Sequence, residues 1–103
     1  MSFGEDWTTT SPTAAQIAQA ESYCDVALPL ESVERIEIQW SGSGIDDRCR
    51  VSMTLSKGAF EAFCAANKLD GDVDRLRRKV NAAWTMTVQH GRRVQVVIDS
   101  YDQ

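Results

Sequence analysis

The chain has a single histidine, His90, and three cysteines, Cys24, Cys49 and Cys64, no two of them at CxxC spacing. A structural zinc site needs four nitrogen or sulfur ligands at characteristic separations, so this set argues against one. A Gly-rich phosphate loop is missing too, because Gly42-Ser43-Gly44 lacks both the P-loop lysine and the dinucleotide pattern. No apolar run approaches the roughly 20 residues of a membrane-spanning helix. Met1-Ser2-Phe3-Gly4-Glu5-Asp6 has neither the basic nor the apolar region of a signal peptide. The chain as it stands therefore reads as cytoplasmic, or as extracytoplasmic if a leader has been removed. Low-complexity tracts and solenoid repeats are lacking, and no catalytic motif, metal site or cofactor site stands out.

What is present suits one domain. At 103 residues, with 43% apolar content, three Trp and three Phe, the chain can close a single core with little surplus stability. Residues 1–10 read as a flexible arm, although Phe3 and Trp7 offer ways to dock it, and 11–103 as the domain.

The stretch from Val33 to Leu69 organises the rest. Ile36, Ile38 and Trp40 alternate with Arg35, Glu37 and Gln39, which puts apolar and polar side chains on opposite faces of a strand. A Gly/Ser/Asp loop over 41–47 follows. In the next strand Cys49, Val51, Met53 and Leu55 alternate with Arg50, Ser52 and Thr54. Alternation in both runs predicts an antiparallel sheet covered on one face and wet on the other. Ser56 is placed to cap a helix, whose Phe60, Phe63 and Cys64 would roof the apolar side of the two strands.

Upstream, Ser11-Pro12 marks a helix start, with Ser11 as cap and Pro12 at the first helical position. Ile17, Ala20 and Cys24 share its inner face, and the helix should end near Asp25, ahead of Pro29. Downstream, 67–71 reads as a helix exit, and a further helix is expected from Asp72 to about Ala83. Trp84, Met86 and Val88 then mark a third strand, His90-Gly91 a turn, and Val94, Val96 and Ile98 a fourth. The expectation is a two-layer α+β domain in the order α-β-β-α-α-β-β. Its helices pack on one face of a mainly antiparallel four-stranded sheet.

The net charge of −4 hides a split. Through Asp47 nine acids face one base, Arg35, whereas from Arg48 onward ten bases face six acids. Such asymmetry arises from a charged partner surface or from halves that attract each other within the fold. Glu34, Glu37, Asp46 and Asp47 make the first hairpin acidic, a candidate docking surface for a protein partner with a basic surface. The competing reading is solubility and edge protection. Asp46 and Asp47 also offer hard oxygen ligands, though not at EF-hand spacing.

Arg75, Arg78 and Lys79, with Arg92 and Arg93, form the best basic patch. The flanking acids and the acidic total argue against nucleic acid. The cysteines fall on inward positions, where a thiol behaves as a small apolar group. A Cys49–Cys64 or Cys24–Cys64 disulfide is the competing reading and would imply an oxidising compartment. His90, beside Gly91, reads as a solvated turn residue; its catalytic alternative needs a cysteine or Asp99 nearby.

Leu28-Pro29-Leu30-Glu31-Ser32-Val33 leading into a strand, then Gly44-Ile45-Asp46-Asp47, an alternating strand and Ser56…Phe60…Phe63, together resemble small uncharacterised domains of exported actinobacterial proteins. The resemblance covers about the middle third of the chain. It implies an extracytoplasmic setting and brings no activity or catalytic residue with it. The favoured expectation is a non-enzymatic binding module of inhibitor or immunity type. The alternative is a self-associating structural or sensor domain of an exported protein, forming a homodimer through a strand edge.

Overall fold

A computed structural model describes residues 6–42, 47–69 and 82–102. The elements run β1 (Trp7–Thr9), α1 (Ala14–Cys24), β2 (Arg35–Gly42), β3 (Asp47–Leu55), α2 (Lys57–Asn67), β4 (Ala82–Gln89) and β5 (Val94–Asp102). Among the described residues five strands, not four, form one antiparallel sheet in the order β1-β2-β3-β5-β4. The added strand comes from the expected arm. Trp7, Thr8 and Thr9 pair with Trp40, Gln39 and Ile38, and the Asp6 carboxylate accepts the Gly42 N–H at 3.0 Å. The Trp7 ring lies nearly parallel to Trp40 with centroids 6.2 Å apart, and the Tyr23 ring meets Trp40 edge-on at 5.0 Å. These aromatic contacts fix a segment too short to hold a strand by backbone pairing alone.

Two further expectations change. Thr13, not Ser11, caps α1: its Oγ1 accepts from Gln16 N while Gln16 Oε1 accepts from Thr13 N. This reciprocal box satisfies two otherwise orphaned donors, and the Ser11 N–H is taken by Thr9 Oγ1. The helix expected from Asp72 to Ala83 lies almost wholly outside the described residues. Where the description resumes, Ala82 and Ala83 are already in β4, paired with Asp102 and Tyr101. Pairing along β5 overrides the helical preference of alanine there. The described residues thus hold two helices.

Strand alternation does what the sequence implied. Ile38, Cys49, Val51, Met53, Leu55, Met86, Val88, Val94, Val96 and Ile98 are buried on one face. Both helices lie over that face. From α1 come Ala20 and Cys24, and from α2 come Phe60, Phe63 and Cys64, all in one buried cluster with the strand residues. Trp40 packs against this cluster, with Tyr23 of α1 edge-on to its ring and Trp7 stacked beside it in the sheet. Ser56 caps α2 as expected, its Oγ accepting from Ala59 N at 3.2 Å. Asn67 then ties the end of α2 to the segment after α1, with Ala27 N donating to its Oδ1 at 2.7 Å and its Nδ2 donating to Ala27 O at 3.0 Å. With both helices on one side, no described element covers the other face of the sheet, termed the open face. Among the described residues no helix is long and apolar enough to cross a membrane.

Candidate functional site on the open sheet face

The strand register sets the open face in rows. Arg35, Thr54, Gln95 and Gln89 form one, and Glu37, Ser52, Val97 and Thr87 the next. Then come Thr8, Gln39, Arg50, Asp99 and Thr85, followed by Ser41, Arg48 and Tyr101. Every position follows from period-two alternation once the strand order is known. A groove of about 660 Å³ runs over the first two rows, lined by Arg35, Glu37, Ser52, Thr54, Gln95 and Val97 among others.

The most organised charges lie in the third and fourth rows. Arg48 grips Asp99 in two-pronged fashion, with Nε 3.0 Å from Oδ1 and Nη2 2.7 Å from Oδ2. Arg50 Nη2 reaches the same Oδ2 at 3.1 Å. Burial pushes the Asp99 carboxyl up, but hydrogen bonds from Arg48 and Arg50 and their charges outweigh it, so it ionises below its ordinary value. The same bond and charge hold the Arg48 guanidinium above its usual range, against a smaller opposing effect of burial. Two cations share one anion, which leaves one positive charge over. Beside them Gln39, Ser41, Arg48 and Arg50 line a hollow of about 150 Å³. Arg48 also lies over the exposed Tyr101 ring at 5.5 Å, within the range of a cation–π contact.

Of the three described residues expected to form the acidic surface, Glu34 and Glu37 line the same groove, and Asp47 lies apart from them. Glu34, just before β2, is bound by Arg93, whose Nε lies 2.9 Å from Oε1 and 2.8 Å from Oε2. A member of the acidic set and a member of the basic set therefore neutralise each other across the two halves of the chain. Glu37 stands on the open face, half-buried and outside any ion pair among the described residues. Asp47 has the parity of Cys49 and so belongs to the helix side, where its carbonyl accepts from Tyr23 Oη at 2.6 Å. Asp47 pairs with Gly42, five residues from Glu37, which is a separation of about 17 Å along the strand. Arg92 is exposed in the β4–β5 loop. Asp46, Arg75, Arg78 and Lys79 lie outside the described residues.

A second concavity of about 550 Å³ lies on the helix side, lined by Phe60, Cys64, Leu69 and His90 among others. The His90 ring meets Phe60 edge-on at 5.8 Å. Asp99 sits on the opposite face, held by its two arginines, so a His90–Asp99 dyad is not assembled. All three cysteines are buried. Among the described residues no three His, Cys, Asp or Glu side chains gather where they would hold a metal ion.

Compared with protein-family models, curated proteins and solved structures, the chain matches none.

The Arg48–Asp99–Arg50 group escaped sequence reasoning. Alternation placed Arg50 on the wet side, but Asp99 is 49 residues further on, and nothing local pairs β5 with β3. The available signal was the parity of Asp99 against Val96 and Ile98, which assigns it to the open face without naming its neighbour.

Proposed function

We propose that the protein is a non-enzymatic binding module that receives a protein partner on the open face of its sheet. One observation carries this reading: both described helices cover the same face, which leaves the polar side chains of the other face with no layer over them among the described residues. The face is of mixed sign. Glu37 offers an unpaired carboxylate to a basic group, and the surplus charge of Arg48 and Arg50 offers donors to an acidic one. Such a pattern selects a partner by complementary charge and rejects surfaces of uniform sign. The acidic whole, at −4, is a poor match for a nucleic-acid backbone. An inhibitor or immunity-type role fits a small module of this kind, and export of the protein would agree with the resemblance noted in its middle third.

The test is charge reversal at Glu37. Glu37→Lys should weaken capture of the partner by at least about tenfold, since a like charge replaces a complementary one. Thermal unfolding should stay unchanged, and Glu61→Lys, on the outer side of α2, should leave capture intact. A partner bound equally well by Glu37→Lys, or lost equally with Glu61→Lys, ends the reading.

A further inference from the structure

The two edges of the sheet are treated very differently. At the first, β1 is only three residues long and covers Ile38–Trp40 of β2. The part of β2 that it leaves bare, Arg35 to Glu37, carries a charge at each end. Short edge strands and edge charges are the usual means by which a sheet avoids pairing with another chain.

At the other edge, β4 uses neither. It runs eight residues, Ala-Ala-Trp-Thr-Met-Thr-Val-Gln, with no charge and no proline. Its register with β5 is continuous from Ala82↔Asp102 to Gln89↔Gln95, so no bulge twists it away. Among the described residues β4 pairs with β5 alone. Alternate residues of such a strand turn their N–H and C=O outward, about four of each for a strand of this length. Met86 and Val88 are already buried, so what the edge offers is backbone.

We propose that β4 is a self-association edge whose occupant is the β4 of a second copy of this chain, paired antiparallel about a two-fold axis. The strand's own chemistry selects a copy over another occupant. A two-fold antiparallel contact sets a strand against itself, so a charge near the axis comes close to its own like copy, and β4 has none. To keep the two open faces on one side, residues of equal parity must stand opposite each other. An axis through Met86 meets this condition and sets Thr85 of one copy opposite Thr87 of the other, a favourable cross-strand pair. The product is a continuous ten-stranded sheet whose open face is doubled. The backbone edge of β4 is distinct from the face assigned to partner binding, although Thr85 and Thr87 stand at the margin of that face. The oligomeric state and partner capture are read separately, so either proposal can fail without the other.

Sedimentation of the full chain from micromolar to millimolar concentration tests it. The wild type should pass from monomer to dimer. Thr85→Lys/Thr87→Lys sets lysine against lysine twice and should raise the dimer dissociation constant by about tenfold or more. An equimolar mixture with Thr85→Glu/Thr87→Glu should restore a dimer of one copy of each, which neither variant forms alone. Circular dichroism of the dilute variants should match the wild type; if the lysine pair fails to fold, the glutamate pair alone serves as the monomeric variant. A wild type that stays monomeric overturns the proposal, whether or not it takes up an added β-strand peptide. So does a dimer that the charged variants leave unaltered.

Discussion

Ser100 offers the sharpest test of the packing described above, because its replacement should stabilise the protein. It is fully buried on the helix side of β5, between Cys49 of β3 and Trp84 of β4 in the strand register, and its Oγ has no hydrogen-bond partner. An unpaired hydroxyl taken out of water costs about 1–3 kcal/mol. Ser100→Ala removes that cost. In return it leaves a void of order 10 Å³, which at about 24 cal/mol per Å³ costs only ~0.2 kcal/mol. The net expectation is a gain of about 1 kcal/mol or somewhat more, read as a rise in Tm of about 4–8 °C for each kcal/mol in a domain of this size. Thermal melting followed by circular dichroism measures it, and a urea titration with unchanged m-value excludes an effect on the unfolded chain. Ser52→Ala, three register positions along β3 from Cys49 and on the open face, is the control and should move stability by no more than about 0.5 kcal/mol. A fall in Tm for Ser100→Ala would refute the reasoning, since it would mean that the hydroxyl is satisfied in solution.

Two other perturbations probe the core and the charged face. Phe63 is 2% exposed at the centre of the cluster between α2 and the sheet, so Phe63→Ala should cost about 3–5 kcal/mol. That is a large part of the roughly 5–15 kcal/mol typical of such domains, and it would show as a large shift in urea midpoint. Asp99 ionises below its ordinary value of 3.8, so its contribution is complete above that value and is lost as pH falls through the lowered folded one. The stability difference between wild type and Asp99→Asn should therefore be largest at neutral pH and shrink as pH falls below 3.8 and through the lowered folded value. Because Arg48 and Arg50 are 49% and 43% exposed, the neutral-pH difference should not exceed about 1 kcal/mol. A difference that is constant with pH would deny the carboxylate its role.

Much of the core was legible in the chain because its rules are short-ranged. Alternation over Ile36–Trp40, Cys49–Leu55, Trp84–Val88 and Val94–Ile98 marked the strands and which side of each faces the helices. Ser56, set just before a phenylalanine stripe, announced α2 and its cap. The site was harder to read. Glu37 was found through its own parity, but among the described residues only part of the acidic surface expected from sequence neighbours is assembled. Asp47 fell on the helix side, and Glu34 was claimed by Arg93, 59 residues away.

Sequence by itself determined which side chains point inward, because side-chain direction in a strand depends only on the residue's place in a two-residue period. Tertiary structure decided who stands next to whom. The insertion of β5 between β3 and β4 brings Asp99 to Arg48 and Arg50, and the docking of Trp7 on Trp40 turns an arm into a fifth strand. It also makes β4 an edge. Those outcomes depend on which edges and faces remain to be covered once the local pieces exist, a competition among distant segments that no local pattern encodes.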